Sequence, residues 1–248
     1  MIPPSDVPPG FLRPAALAAL TVLALTGCGG PSPDAAQAQR PQTEASGTLE
    51  PGFPLELDNC GTPVSLDAPP ERVVTIKSTS TELLLALGLG GKIVGTAFAD
   101  GPVPEAWAGS PVPPVLAEKV PSQEAVLGLA PDLVFAGWES NFSADGAGER
   151  AQLGELGVAS YVSPAACMED GYRPSPLTFD DVFASIEEAG DLFGAPGAAS
   201  ELVEAQRAEL AALTPNGKGY SALWYSSGSD TPYVGAGSGA PALLMESA

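Results

Sequence analysis

Histidine is absent from this 248-residue chain. That one absence removes Ser-His-Asp and Cys-His catalysis, histidine general bases and nearly every zinc site. Positive charge is scarce too. Ten Lys and Arg side chains stand against thirty Asp and Glu, for a net charge of −20. Such a chain repels phosphate backbones, and no basic stripe offers itself to nucleic acid. The apolar stretch at residues 15–25 falls short of the roughly twenty residues that a membrane-spanning helix needs. The carboxylates are plentiful but scattered, so no catalytic residue is assigned. No metal site or cofactor is implied either.

What is present begins at the N-terminus. Arg13 precedes the apolar stretch, which closes on Leu25-Thr26-Gly27-Cys28. A charged start, a short apolar segment and a small-residue junction describe an export signal. The four closing residues resemble the bacterial lipobox, in which cleavage before the cysteine leaves a lipid-modified Cys28 as the new N-terminus. A signal peptide that happens to contain a cysteine is the alternative. The expected order is a leader over residues 1–27, then a flexible tether over 28–54. The tether is rich in Pro, Ala, Gln, Ser and Gly and poor in large apolar side chains. The folded part would then be extracytoplasmic, lipid-anchored to the outer face of the cell membrane, with its acidity serving solubility. With Cys28 lipidated, Cys60 and Cys167 remain as a pair in an oxidising compartment, either bonded to each other or as two buried thiols.

From residue 71 short apolar runs alternate with helical segments. Residues 72–76, 93–96, 114–116, 133–136 and 160–162 read as strands. Thr79 and Glu82 fit a capping box ahead of Leu83, Leu84, Leu85 and Leu87. Ser122 can cap a helix that Pro131 ends, and residues 149–156 form another. This alternation predicts a parallel sheet covered on both faces, with ligands beyond the carboxyl ends of its strands. Thr178 and Asp181 start a helix whose apolar positions Phe179, Val182, Phe183, Ile186 and Phe193 keep helical spacing. Glu187 and Glu188 read as its solvated face. A second helix, over residues 197–213, would be roughly 25 Å long. A strand over 221–225 and a helical start over 241–245 follow. The fold class is therefore α/β, with two Rossmann-like lobes joined by a long helix. The first lobe spans residues 55–195, the joining helix 196–214, and residues 215–248 begin a second lobe. A lone strand and half a helix cannot bury a core, so that second lobe reads as truncated.

Several stretches resemble one family: the substrate-binding lipoproteins of ABC importers for siderophores, haem and cobalamin. They are Pro70-Glu71-Arg72-Val73-Val74, Thr81-Glu82-Leu83-Leu84 with Ala86-Leu87-Gly88, residues 124–134 ending in Pro131-Asp132-Leu133-Val134, and Leu153-Gly154-Glu155-Leu156-Gly157. The resemblance implies a ligand held between two α/β lobes and an ABC permease as partner. It also implies one docking glutamate per lobe, at Glu124 and Glu246. A narrower resemblance rests on residues 137–143, 161–167 and 176–181. These look like the actinobacterial subgroup proposed to bind coenzyme F(420)-0, a deazaflavin precursor, with siderophore, haem or cobalamin as alternatives.

The residues themselves favour an anionic, ring-bearing small molecule. Lys77, Lys119, Arg150 and Arg173 fall in or beside loops expected at the strand carboxyl ends, where a strongly acidic chain must concentrate positive charge to hold an anion. Ordinary surface solvation is the competing account of each. Phe98, Trp138, Tyr172 and Trp224 fall in similar loops and suit a flat ring; lobe packing would also explain them. The glycine-rich residues 235–239 precede a helix and read as an anion cradle or a plain turn. An extracytoplasmic enzyme lacking histidine and an adhesive or structural lipoprotein are the other classes. The first is disfavoured by the missing constellations, the second by the lobe–helix–lobe order.

Overall fold

The computed structural model describes residues 51–110, 114–174, 176–214, 217–219, 221–235 and 239–247. The expected leader, Cys28 and nearly all of the tether lie outside them, as do residues 236–238 of the glycine-rich stretch. The first elements are two strands, β1 (Leu55–Asn59) and β2 (Thr62–Leu66), paired antiparallel. The sequence reading did not anticipate this hairpin. Its turn residues Cys60 and Gly61 both take positive φ, 53° and 74°, the twist that a two-residue hairpin turn requires.

The α/β part then runs β3 (Val73–Ile76), α1 (Ser78–Ala86), β4 (Ile93–Ala97), β5 (Val115–Ala117), α2 (Gln123–Leu127), β6 (Leu133–Ala136), α3 (Arg150–Glu155) and β7 (Ala159–Val162). The five strands β3–β7 form one parallel sheet in the order β5-β4-β3-β6-β7. Every residue of β3 and β6 is buried, because helices cover both faces. Alternate side chains divide between two cores. Val73, Leu133 and Phe135 join Leu84, Ile93, Tyr161 and Phe193 on one face. Val74, Ile76, Val134 and Ala136 join Val126, Leu153 and Val158 on the other.

The two central strands are clasped at their amino ends by the residues that carried the family resemblance. The Asp132 carboxylate accepts the Glu71 N–H (2.7 Å) and the Arg72 N–H (3.0 Å). In return the Arg72 guanidinium donates to the Ala130 carbonyl (2.9 Å) and the Leu129 carbonyl (2.6 Å). The expected capping box at Thr79 and Glu82 does not form. Helix α1 starts one residue earlier, at Ser78, and Lys77 precedes it without a side-chain cap.

Helix α4 (Phe179–Leu192) opens with a capping box between Thr178 and Asp181. It ends in a Schellman turn. The Ala195 N–H donates to the Gly190 carbonyl (2.7 Å) and the Gly194 N–H to the Asp191 carbonyl (3.1 Å), with Gly194 at φ +68°. Helix α5 (Pro196–Ala212) follows at once and packs on α4 through Phe183, Ile186, Ala199 and Val203. Glu188 is more than a solvated face, since the buried Tyr161 hydroxyl donates to its Oε1 at 2.6 Å. Strands β8 (Trp224–Ser227) and β9 (Tyr233–Gly235) form an antiparallel ribbon, and α6 (Gly239–Ser247) comes after it. Strand β8 begins three residues later than expected, and β9 had no counterpart in the sequence reading.

Candidate functional site

Connections reverse direction between β3 and β6. The chain leaves β3 toward β4 and leaves β6 toward β7, which opens a crevice beyond their carboxyl ends. The hydrogen-bond ladder carries on past the strands there. Lys77 N–H donates to the Ala97 carbonyl (3.0 Å), Phe98 N–H to Ala117 (3.1 Å), Gly137 N–H to Ile76 (2.9 Å) and Ser163 N–H to Ala136 (3.0 Å). These bonds set Lys77, Phe98, Gly137 and Ser163 in a row along one end of the sheet, with Trp138 directly after Gly137.

The backbone in this row is strained. Lys77 takes φ 82° with ψ 149°, and Phe98 takes φ 52°. Residues with a Cβ adopt such conformations at a cost of about 1–3 kcal/mol each, and the instances collect at functional sites. Gly137 has the reverse constraint. A Cβ there would stand 2.6 Å from Thr79 Oγ1 and 2.8 Å from Lys77 Cβ, so the close approach of the β3 and β6 exits needs glycine.

Lys77 is buried between rings. Its ammonium lies 4.2 Å from the Phe98 centroid and 4.1 Å from the Trp138 centroid. The two rings stand nearly perpendicular, at 81° with centroids 5.6 Å apart. The ammonium also pairs with Asp100, a side chain 56% exposed against 4% for the lysine. The Asp100 N–H donates to Ser78 Oγ at 2.8 Å, tying that loop to the start of α1.

Beside this stack lies a cavity of about 440 Å³, lined among others by Thr79, Trp138, Ser163, Arg173, Leu177 and, at the start of α6, Gly239. Trp138 is 47% exposed. The volume falls in the range of small-molecule sites, and the lining includes both Trp138 and Arg173. Among the described residues no cluster of His, Cys, Asp and Glu could hold a metal, and no helix is long and apolar enough to cross a membrane.

The structure thus gathers Lys77, Phe98, Trp138 and Arg173 from the expected binding residues and leaves the others apart. Arg150 is corrected to a structural role. Its guanidinium donates to the Asn59 carbonyl (2.7 Å), Asn59 Oδ1 (2.9 Å), Ser160 Oγ (2.9 Å) and the Ser160 carbonyl (2.9 Å). It lines a groove between β2 and β7 that reaches Asp132 and Val158, at the amino ends of β6 and β7. Burial lowers its pKa, with Glu139 and Asp58 pulling it back up. Tyr172 leans on the β1–β2 turn, and its hydroxyl donates to Asp58 Oδ2 at 3.0 Å. That bond and the carboxylate's charge raise the Tyr172 pKa. Lys119 is exposed just after the edge strand β5, and Trp224 sits in β8 opposite Gly235. Glu124, in the first turn of α2, and Glu246, on α6, are both exposed.

Cys60 and Cys167 are joined, with their Cα atoms 5.2 Å apart across 107 residues of chain. The bond pins the segment leading to Arg173 against the hairpin turn. Sequence reasoning missed Thr79, Asp100, Ser163 and Leu177. The last two lie within stretches singled out for the narrower resemblance, 161–167 and 176–181, without being given a site role there, whereas no spacing rule points to Asp100.

The described residues thus form a doubly wound α/β lobe with a cavity at the strand carboxyl ends, followed by a long helix. Residues 73–243 match the family described as periplasmic binding protein, and the chain belongs to that family. It is 30% identical over 196 residues to an uncharacterised ABC transporter substrate-binding lipoprotein, YvrC, of Bacillus subtilis, covering 77% of this chain and 54% of that protein. The chain therefore spans about half the length of this curated relative. Among solved structures it is similar to an ABC-type Fe3+-hydroxamate transport system protein from Saccharomonospora viridis, with 32% identity, 64% of this chain and 55% of that one covered, and a TM-score of 0.53. A periplasmic binding protein from Veillonella parvula shares the fold at 23% identity and a TM-score of 0.60, covering 72% of this chain and 60% of that one.

Proposed function

We propose that this chain captures a small molecule outside the cell and delivers it to an ABC importer permease. In this reading the lipidated Cys28 holds the protein to the membrane, and Glu124 and Glu246 present charge to permease arginines. The ligand is an anion with a flat conjugated ring. The ring stacks on Trp138 and its acid meets Arg173. The observation that carries this is the pairing of a half-exposed indole with a guanidinium around one cavity at the strand-order reversal. The coenzyme F(420)-0 precursor is the favoured ligand, on the resemblance of residues 137–143, 161–167 and 176–181. An iron-siderophore complex is the second reading, supported by the Saccharomonospora viridis relative.

The test has two arms. The optical spectrum of the protein taken from its native membrane separates a deazaflavin, a haem or corrinoid, and a ferric hydroxamate by their absorption bands. A charge-assisted hydrogen bond contributes about 1.5–3 kcal/mol, so Arg173→Ala should weaken binding of that ligand roughly ten- to a hundredfold. Affinity should also fall as salt rises. A neutral ligand, or affinity indifferent to salt and to Arg173, refutes the anionic cleft.

A further inference from the structure

Trp138 lines the 440 Å³ cavity, whereas Lys77 and Phe98 are not among its described lining residues. Yet the Lys77 ammonium lies 4.1 Å from the centre of the Trp138 ring. One residue thus lines the cavity and carries a buried cation over one face of its ring. The cation itself is almost wholly covered. Two rings pack against it, Asp100 pairs with it, and only 4% of the side chain is exposed.

A cation over one face of an aromatic ring draws the ring's electron density toward itself, since the face of a π system is its negative region. The opposite face then becomes a better partner for an electron-rich ring and a poorer one for an electron-poor ring. Asp100 sets the strength of this effect, because its carboxylate neutralises part of the ammonium's field. The strained Lys77 backbone, held by its N–H to Ala97 and by the close pass of Gly137, fixes where the cation sits.

We infer that Lys77 is a positioning residue, which polarises Trp138 from behind and tunes the cleft for electron-rich conjugated rings. This rests on the proposed cleft but assigns Lys77 a role other than contact with the ligand's acid. A salt link from Lys77 to the ligand would compete with the Asp100 carboxylate that already pairs with the ammonium. Polarisation through the indole requires no such change.

The experiment uses the full chain and a matched pair of naphthoates, one carrying a hydroxyl and the other a nitro group at the same ring position. They share the naphthalene ring and carboxylate and differ in ring electron density, and the change in their affinity ratio between variants cancels the differing size of the two substituents. Isothermal titration of the unaltered protein should show the hydroxynaphthoate binding about three- to tenfold more tightly. Lys77→Met should bring that ratio to about one, whereas Asp100→Asn should widen it. Arg173→Ala should weaken both probes alike and keep the ratio. A loss of packing in the Lys77 variant would lower both affinities together, so the ratio isolates the electronic role. Should Lys77→Met not fold, the Asp100→Asn arm decides. A ratio that survives Lys77→Met, or one that narrows in Asp100→Asn, overturns the inference and leaves the cleft standing. If neither naphthoate binds the unaltered protein, the cleft falls and the inference with it.

Discussion

Gly190→Ala tests how closely α5 must approach α4. A methyl group at Gly190 would stand 2.3 Å from Ala199 Cβ, 3.3 Å from the Ala195 carbonyl oxygen and 3.4 Å from Pro196 Cα. Carbon atoms in contact prefer about 3.5–4.0 Å, so the helices must part by more than an ångström. Two effects favour the substitution. Alanine is better than glycine inside a helix by about 1 kcal/mol, and one more buried methyl contributes about 0.8 kcal/mol. The opposing effect is overpacking, usually 1–3 kcal/mol. Here it lies at or above the upper end, because the obstacle includes backbone atoms that the Schellman turn holds in place. Separation would also strip Phe183 and Ile186 of their contacts with Ala199 and Val203. We expect a net loss of about 1–2 kcal/mol in urea unfolding followed by circular dichroism. Ala199→Gly alone should also destabilise, through lost helix propensity. The double variant should be more stable than the sum of the two by at least about 1 kcal/mol, since removing either methyl relieves the clash. A neutral or stabilising Gly190→Ala, or a strictly additive double variant, would refute the close-approach reasoning.

Three further outcomes follow from the packing. Asp132→Ala leaves the N–H groups of Glu71 and Arg72 to water and should cost about 1–2 kcal/mol in the same assay, while ligand affinity holds because the clasp is at the other end of the sheet; lost affinity with stability intact would contradict this. Tyr161→Phe removes the hydroxyl that ties β7 to Glu188 and should lower stability by about 1–2 kcal/mol with the fold retained, and an unchanged denaturation midpoint would count against it. The bonds from Thr178 hold the Asp181 carboxyl below its ordinary pKa. A depressed pKa stabilises the fold above the unfolded carboxylate range and loses that effect as pH falls through the folded value. The stability gap between the unaltered protein and Asp181→Ala should therefore close in acid, and a gap that widens there reverses the sign of the argument.

The parallel sheet was readable because strands buried on both faces leave a plain trace. Residues 73–76 and 133–136 are unbroken β-forming or apolar runs followed by helical patterns. The hairpin was harder. Leu55 and Leu57 alternate with polar residues, as do Val64 and Leu66, but Cys60-Gly61 is not one of the dipeptides that announce a two-residue turn. Trp138 and Lys77 could be placed because any residue just past a central strand falls at the crevice of a doubly wound sheet. Arg150 could not be excluded by that rule. Its place depends on acceptors contributed by Asn59, ninety-one residues away. Asp100 is invisible for a similar reason, since its pairing with Lys77 depends on how the loop after β4 folds back over Ser78.

Four residues other than glycine take positive φ among those described: Cys60, Lys77, Phe98 and Ala130. Two have a structural reason. Cys60 is fixed by its bond to Cys167, and the carbonyl of Ala130 is held by the Arg72 guanidinium. Elsewhere the chain uses glycine where it needs this conformation, as at Gly61 and Gly194. Lys77 and Phe98 have neither a disulfide nor a guanidinium to fix them, only the ladder bonds of their N–H groups and the bonds from Thr81 to the Lys77 carbonyl, which glycine would also make, and glycine would relieve the strain in each. Both instead keep large side chains, and those side chains meet each other and Trp138 beside the cavity. A chain selected for stability alone would not retain two such residues on adjoining strand exits. Strain left in place where glycine was available locates the demand in the side chains, and so in the stack they form against Trp138.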